Sequence, residues 1–450
     1  MRKTTRIGLG AVMVALLAAG AAGADAIKIA YIDPLSGPFA STGTNGLHQY
    51  EFAAETLVNE KGGVLGGDMF EIVAFDNKTS PKESLVQLQV AIDQGIRFVV
   101  QGNGSAVAHA LTDAIDKHNR RNPDDRVLFL NYSAVDPALT NENCNFWHFR
   151  FDANADIKMD ALTDIIATNP DITKIYVIGQ DYSFGKSVSA AATKYLAEKR
   201  PDIEIVGNEL HPIGKVKDFT PYSRKIIASD ADAIITGNWG ADMLNLGKSV
   251  IDTGFDGPIY TYYAAADGIT AAFGESGKDR LRLVTEGQTN PPPNDTAADY
   301  IKAFKAKYPD GNMSQTRITN VMEMLAKAID QAGTATDVVA VGEALEGMEM
   351  DSMWGGKLYM RPEDHQLIQD VLITVHTDDD IQYDLDNSGY GQHLESRVEM
   401  AGMDSPTTCK MRRPLRAPDP RQTGADPRIA EIRTRLTAYR GETGAWTSYW

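Results

Sequence analysis

Ile27-Lys-Ile-Ala-Tyr-Ile-Asp-Pro-Leu-Ser-Gly-Pro38 is the stretch that decides the fold. Its first six residues are rich in β-branched and aromatic side chains and read as a strand, and the Pro and Gly residues then form a tight loop. Apolar residues recur at helical spacing over Gly46–Asn59, and this run stops at Gly62-Gly63. A strand that leads directly into a helix is the first unit of an α/β fold.

The same succession of short strands and helices is repeated along the chain. The first series has strands at Ile27–Ile32, Phe70–Phe75, Arg97–Val100 and Val127–Leu130, and helices at Gly46–Asn59, Lys82–Asp93 and Val107–His118. The second series, after Phe151, has helices at Ile157–Ala167, Ser187–Glu198 and Ala241–Ile251, and strands at Lys174–Ile178, Ile203–Val206, Ala233–Thr236 and Pro258–Tyr263. This rhythm predicts parallel sheets covered by helices on both faces, and two series predict two Rossmann-like lobes.

The later segments predict that the chain returns to both lobes. Ser314–Ala332 and Val338–Glu346 read as helices, and Leu358–Met360 and Leu367–Val375 as two late strands. If they complete both lobes, the crossovers form a hinge. We expect an N-terminal lobe of residues 25–150 and 286–361, and a C-terminal lobe with a hinge-covering segment of residues 151–285 and 362–414. Residues 415–450 are rich in Arg and Pro and are expected to be a disordered or non-native extension.

The first 24 residues have the layout of a secretory signal peptide. Basic Arg2, Lys3 and Arg6 precede an apolar run that is too short to span a bilayer, and a small-residue site ends at Ala24. We therefore expect cleavage near Ala24 and a periplasmic protein. An uncleaved membrane anchor is the alternative.

Charge and cysteine content narrow the class of partner. The formal net charge is −17 for the 450 residues, and loss of the three basic residues above takes it to −20. An acidic surface repels phosphate backbones, so nucleic acid is not expected as a partner. The two cysteines, Cys144 and Cys409, have one possible pairing, and in an oxidising compartment they favour a disulfide over two buried thiols.

The run Ile27–Pro38, the secretion signal and the paired α/β series resemble the type I periplasmic binding proteins. The resemblance is greatest to the branched-chain amino acid (leucine/isoleucine/valine) branch that serves ABC transporters, and it covers about residues 26–414. It implies two lobes joined by a hinge, a small-molecule ligand in the cleft between them, and docking of the closed form on a membrane permease. We expect a monomer without a cofactor.

Loops that follow strands of the first series supply one set of candidate ligand-binding residues. In Gln101-Gly-Asn-Gly104-Ser105, the backbone N–H groups and the helix dipole favour an anion, and the family places a serine here on the ligand carboxylate. The third Gly of a dinucleotide fingerprint is missing, which argues against a nucleotide cofactor. The resemblance implies that Ser133 offers its carbonyl and its hydroxyl to the head group of the ligand. At Val135 the family usually has Thr, so a side-chain hydroxyl is missing there. Ser36 is either a cleft donor or part of a structural turn.

Aromatic residues dominate the corresponding loops of the second series. Tyr182, Phe184 and Trp239 follow predicted strands, and the resemblance implies that they cover the ligand. The segment Tyr260–Gly268 matches the place of the family's acidic partner for the ligand ammonium. The nearest acidic residue is Asp267, whereas an ungapped match puts a tyrosine there, so we name both Tyr262 and Asp267 as candidates.

The remaining sequence features concern metal binding and catalysis. Asp384, Asp386, Ser388 and Glu395 have the spacing of a calcium loop, but a solvated acidic turn is favoured, so no metal is expected. No nucleophile elbow or His-Glu-x-x-His motif points to an enzyme. The sequence therefore predicts a solute-binding protein for a branched-chain or other hydrophobic amino acid. An aromatic or short aliphatic carboxylate, or an amide, is the alternative ligand, and a sensor subunit or an extracytoplasmic hydrolase or lyase is the alternative class.

Overall fold

The computed structural model describes residues 26–265 and 267–414; the predicted signal peptide and the Arg- and Pro-rich segment 415–450 lie outside these ranges. The strands are β1 (Ala26–Asp33), β2 (Met69–Asp76), β3 (Phe98–Gln101), β4 (Leu128–Asn131), β5 (His148–Arg150), β6 (Lys174–Gln180), β7 (Glu204–His211), β8 (Ala233–Thr236), β9 (Ile259–Thr261), β10 (Leu281–Thr285), β11 (Glu349–Asp351), β12 (Lys357–Met360), β13 (Leu367–Gln369), β14 (Val371–Thr377) and β15 (Gly391–Val398). The helices are α1 (Ala40–Ala53), α2 (Pro81–Asp93), α3 (Ser105–Arg121), α4 (Ala155–Thr168), α5 (Ser183–Lys199), α6 (Thr220–Ala228), α7 (Gly240–Asp252), α8 (Ile269–Gly277), α9 (Asp295–Lys307), α10 (Arg317–Ala332), α11 (Val338–Leu345) and α12 (Met400–Met403).

The first lobe is built on a five-stranded parallel sheet with the order β2-β1-β3-β4-β5. Its central strands β3 and β4 are buried on both faces, as expected of a parallel sheet between helices, whereas the edge strand β2 is partly exposed. Side chains from α3, α10 and α11 join the same apolar core, so the late helices pack on the first lobe. Local chemistry sets the helix starts: α2 begins with Pro81 after Ser80, whose hydroxyl accepts the N–H of Glu83.

The second lobe is built on a seven-stranded sheet with the order β15-β14-β10-β9-β8-β6-β7. Strands β6 to β10 pair in parallel, whereas β14 and β15 add an antiparallel edge. The predicted alternation of strands and helices is therefore correct for most of the sheet, and the late strands close it in the other direction.

Three crossovers join the lobes at the hinge, after β5, after β10 and between β13 and β14, and the described chain after β15 passes back to the first lobe. Gln366 and Gln369 tie the third crossover to the first, because their side-chain amides donate to the carbonyls of Asp152 and Phe151, each at 2.8 Å. The sequence predicted one strand over Leu367–Val375, and this was wrong. The run is two strands in different sheets because the chain leaves the small sheet β11-β12-β13 at Asp370.

A disulfide holds the C-terminal part of the described chain on the first lobe. Cys144 and Cys409 are bonded, with their Cα atoms 5.7 Å apart, which confirms the predicted pairing. Thr407 Oγ1 donates to the carbonyl of Thr140 at 3.0 Å. The segment from Asp404 to Cys409, called the strap below, therefore has a polar contact with the first lobe as well as a covalent one. Within residues 26–265 and 267–414, no helix combines the length and apolar character needed to span a bilayer.

Candidate functional site

A cavity lies between the two lobes, where the carboxyl ends of the sheet strands meet, as in other open α/β folds. Its free space, including the mouth open to solvent, is about 680 Å³. The first lobe contributes Thr42, Gly102, Asn103, Gly104, Ser105, Ser133, Ala134, Val135, Ser314, Gln315 and Arg317. The second contributes Tyr182, Phe184, Trp239, Gly240, Tyr262, Tyr263, Ala265, Asp267, Ile269, Leu283, Val284 and Thr285.

The start of α3 forms one end of the cavity. Gly104 is the helix N-cap with φ 100°, a conformation that favours glycine. Ser105 is the first helical residue rather than the cap, and its Oγ accepts the N–H of Asp136 at 3.3 Å. The first N–H groups of a helix have no partner within it, and the helix dipole adds positive potential. This end of the cavity is therefore suited to an anion.

The loop after β4 is held by Asn131, whose Oδ1 accepts the N–H groups of Ser133 at 3.1 Å and Ala134 at 2.7 Å. The Ser133 groups expected to face a ligand already have protein partners. Arg317 Nη2 donates to Ser133 Oγ at 2.8 Å, and the Tyr263 hydroxyl donates to the Ser133 carbonyl at 3.1 Å. Val135 is 1% exposed and lines the cavity beside them.

Aromatic rings form the second-lobe wall. Trp239 Nε1 donates to the Tyr182 hydroxyl at 2.9 Å, which fixes both rings. Phe184 packs edge-on against Tyr262 with 5.5 Å between ring centroids, and the Tyr262 hydroxyl donates to the carbonyl of Ala155 at 2.8 Å. These four rings were candidates from the sequence, and the structure brings them together on one wall.

Asp267 also lines the cavity, in the left-handed region at φ 61° just before α8. Burial raises the pKa of this carboxyl to about 6; the nearby Asp386 adds to the rise and the Thr42 side chain opposes it. The next residue is fixed, because the Gly268 N–H donates to Asp386 Oδ1 at 2.9 Å. The cavity thus has a carboxylate in addition to its anion-binding end.

The sequence reasoning missed a buried charge cluster of four residues, of which Arg317 also lines the cavity: Asp152, Lys158, Glu286 and Arg317. Lys158 Nζ lies 2.7 Å from Asp152 Oδ1 and 2.6 Å from Glu286 Oε1. The Arg317 guanidinium lies 3.4 Å from each carboxylate. Burial and the adjacent Asp152 raise the pKa of Glu286, whereas Arg317 and Lys158 overcome the effect of burial and lower the pKa of Asp152.

Two sets of sequence candidates lie elsewhere. Ser36 is exposed, and its Oγ donates to Asp76 Oδ2 at 2.5 Å in the loop after β1. It belongs to a structural turn outside the cavity lining, so its expected role as a cleft donor is not supported by its position.

The carboxylates of the calcium-loop spacing do not converge. Glu395 forms a two-point ion pair with Arg282, at 2.8 Å for each contact, and Asp386 accepts the N–H groups of Gly268 and Ala271. Asp384 accepts the N–H of Gly389, and Ser388 donates to the Leu385 carbonyl. In the part of the chain that the structure describes, no cluster of three or more potential metal ligands occurs.

Comparisons with known proteins agree with this architecture. A model of the periplasmic binding protein family matches residues 26–380. Leu/Ile/Val-binding protein homolog 4 of Brucella melitensis is 31% identical over 367 residues, which cover 79% of this chain and 86% of that protein. A leucine-, isoleucine-, valine-, threonine- and alanine-binding protein of Brucella ovis, solved in the closed conformation, is similar with a TM-score of 0.75 and 27% identity, over 87% of this chain and 100% of that one. A solute-binding protein of R. palustris in complex with benzoate has a TM-score of 0.71 at 17% identity, over 86% and 99% of the two chains.

Two α/β lobes, three crossovers and a cavity lined from both sides define a two-lobed binding protein for a small solute. The matched region spans most of both lobes. The chain belongs to the periplasmic binding protein family and has the type I fold of ABC-transporter solute-binding proteins. This match confirms the family predicted from the sequence. The relatives named above are binding proteins rather than enzymes.

Proposed function

We propose that this protein binds a hydrophobic α-amino acid, of which the branched-chain amino acids are the first candidates, and delivers it as a periplasmic monomer to an ABC-transporter permease. The observation that carries the proposal is the presence of Asp267 in the same cavity as the N-terminus of α3. A zwitterion needs one group for its ammonium and another for its carboxylate. A buried ammonium without an anionic partner would cost several kcal/mol.

The apolar part of the ligand is assigned to the second-lobe wall. Tyr182, Phe184, Trp239 and Tyr262 offer ring surface, and Val135 adds an aliphatic side chain from the first lobe. Such a mixture of a few polar groups and many apolar ones is typical of small-molecule sites. Because the two ends of the ligand then contact different lobes, binding favours the closed state.

A second candidate ligand is an aromatic or short aliphatic carboxylate without an amino group. It is favoured by Arg317, which adds a guanidinium to the cavity lining beside the rings. The likeness to the benzoate complex does not add to this argument, since at 17% identity it concerns the fold alone.

The test is a thermal-shift and calorimetric screen of the purified mature protein against branched-chain and aromatic amino acids, their des-amino acids and benzoates. A ligand that binds the folded state alone raises the melting temperature. We expect a shift with leucine, isoleucine or valine that Trp239→Ala and Asp267→Asn each reduce. A shift with acids that lack the amino group, and with none of the amino acids, would favour the second candidate. Recovery of the unchanged ligand by mass spectrometry excludes turnover.

A further inference from the structure

Two buried acceptors in the cavity lining, Gln315 Oε1 and Thr42 Oγ1, have no hydrogen-bond partner among the described residues. Gln315 is 6% exposed, and its backbone N–H donates to Gln49 Oε1 at 3.2 Å, which fixes its position. Its own Oε1 is buried and has no hydrogen-bond partner among the described residues. Buried polar atoms in folded proteins are nearly always paired, so an unpaired one at the wall of a cavity indicates a missing ligand atom or water.

Thr42 and the Gln315 Oε1 atom lie on the same side of α1, and both residues line the cavity. Thr42 and Gly46 are four residues apart on α1 and therefore share a face of that helix. A Cβ atom added at Gly46 would lie 3.3 Å from Gln315 Oε1, so the amide oxygen packs over Gly46, one helical turn from Thr42. The Thr42 side chain in turn acts on Asp267, whose pKa it lowers against the effect of burial.

A second connection links the same two segments. Asn312 Nδ2 and the Gly268 N–H both donate to Asp386 Oδ1, each at 2.9 Å. The Asp386 carboxylate thus links Asn312, three residues before Gln315, to Gly268, which follows Asp267. Asn312 is fixed on its other side as well, because its N–H donates to Asn45 Oδ1 at 2.9 Å.

We propose that Thr42, Gln315 and Asp267 form a three-acceptor site for the ligand ammonium, an inference that rests on the proposed binding of an α-amino acid. An ammonium has three N–H donors and no acceptor. Thr42 Oγ1 is buried and has no hydrogen-bond partner among the described residues, so its lone pairs are available to the ligand. The Gln315 amide contributes a neutral oxygen, and Asp267 supplies the charge.

The three acceptors come from both lobes, Thr42 and Gln315 from the first and Asp267 from the second. An amino group that contacts all three holds the lobes together. An acid that lacks the amino group would leave these buried acceptors unpaired, and sites built to hydrogen-bond a polar group discriminate strongly against analogues without it. The site therefore determines the preference for an amino acid over its des-amino analogue.

Isothermal titration with L-leucine and with its des-amino analogue 4-methylpentanoate tests the inference. We expect Gln315→Met to weaken leucine binding about tenfold or more and to leave binding of the acid within twofold. Gln315→Glu, which adds a carboxylate oxygen, should bind leucine at least as tightly as the wild type and the acid less tightly. Thr42→Ser should retain leucine affinity that Thr42→Val loses.

The outcomes separate the two proposals. If the wild type binds no amino acid in the screen, the proposed function fails and this inference fails with it. If the wild type binds leucine but Gln315→Met and Thr42→Val do not reduce the preference for leucine over 4-methylpentanoate, the proposed function stands and the three-acceptor site is wrong. Weaker leucine binding by Gln315→Glu than by Gln315→Met would mean that the amide turns its NH₂ group to the ligand, which also overturns the site.

Discussion

The ring of Phe39, from the first lobe, lies 4.1 Å from that of Trp239, in the second lobe, measured between centroids. Phe39 immediately precedes α1, yet it belongs to the apolar core of the second lobe. It also covers Gly240, where a Cβ atom would lie 2.6 Å from Phe39 Cδ1 and where φ is 55°, so a larger residue would both clash and be strained. This contact crosses the cleft and therefore exists only when the lobes are close together.

Phe39→Ala is expected to weaken ligand binding three- to tenfold. Aromatic pairs contribute about 0.5–1.5 kcal/mol beyond their buried area, and here that energy favours the closed state, to which the ligand binds. Calorimetry would give the affinity, and small-angle scattering of the free protein should show a larger radius of gyration. Phe52→Leu is the control, because Phe52 packs on Tyr300 within the first lobe with centroids 5.0 Å apart. Equal affinities for Phe39→Ala and the wild type would contradict a role in closure.

Ser105→Ala should weaken binding about tenfold or more and leave the fold intact. Ser105 is 2% exposed and lies at the anion-binding end of α3, and hydrogen bonds to charged groups contribute about 1.5–3 kcal/mol. The matched control is Ser84→Ala, a serine that is equally buried but whose hydroxyl donates to the Ser80 carbonyl at 2.8 Å, outside the cavity lining. If both variants bind the ligand as the wild type does, Ser105 has no part in the site.

The sequence led to those cavity-lining residues that follow strands, and their contact with a ligand stays a prediction. Ser105, Ser133, Tyr182 and Trp239 were found in this way because the carboxyl ends of parallel strands meet at one edge of each sheet. Ser36 follows a strand too, but its loop turns outward and pairs it with Asp76. Position after a strand therefore locates the rim of the cavity without fixing the direction of each side chain.

Residues that reach the cavity from helices could not be found by the same reasoning. Thr42 lies on α1, and Arg317 opens α10 more than 180 residues after the Ser133 loop it contacts. Lys158 has Asp156 and Asp160 two residues away on either side in α4, so in the sequence it looks like a surface residue, and only the three-dimensional structure gives its burial and its partners. Such long-range pairs depend on how the crossovers bring the two lobes together.

Amino-acid affinity should fall as the pH is lowered through about 6. Burial raises the pKa of Asp267 to about 6, so below that pH the carboxyl is protonated and no longer attracts an ammonium. The raised pKa of Asp267 also affects the stability of the free protein, and there the effect of pH runs in the opposite direction. The folded state takes up this proton at a higher pH than the unfolded chain, so the contribution of Asp267 to stability falls as the pH rises from about 4 to 6. Calorimetric titrations between pH 5 and 7.5 measure the affinity, and Asp267→Asn should have a flat profile over this range. An unchanged slope in that variant would assign the titration to another group.

Loss of the disulfide should lower stability without changing ligand affinity. The bond between Cys144 and Cys409 closes a loop with a sequence separation of 265 residues, and removal of a native disulfide costs about 2–5 kcal/mol. Neither cysteine lines the cavity. Urea unfolding of the Cys144→Ser/Cys409→Ser variant measures the first effect, and titration at a temperature where the variant is folded measures the second. Weaker binding at that temperature would show that the strap also supports the closed lobes.

The charge cluster allows a test of whether its partners stabilise one another. Arg317→Met leaves Lys158 as the one cation of this four-residue cluster, and breaking a buried ion pair by removal of one partner costs about 3–5 kcal/mol. At a pH above the raised pKa of Glu286, Glu286→Gln alone leaves one anion for two cations, so it should also destabilise the protein there.

When the two changes are combined, Asp152 and Lys158 remain as a balanced pair at 2.7 Å. The free energy of unfolding of the double variant should therefore exceed the value expected from adding the two single losses, by about 1 kcal/mol or more. Denaturant unfolding of the wild type, both single variants and the double variant, at a pH above the raised pKa of Glu286, gives this coupling energy. Strict additivity would mean that Arg317 and Glu286, 3.4 Å apart, act independently, and that Arg317 is held instead by its hydrogen bonds to the Ser133 loop.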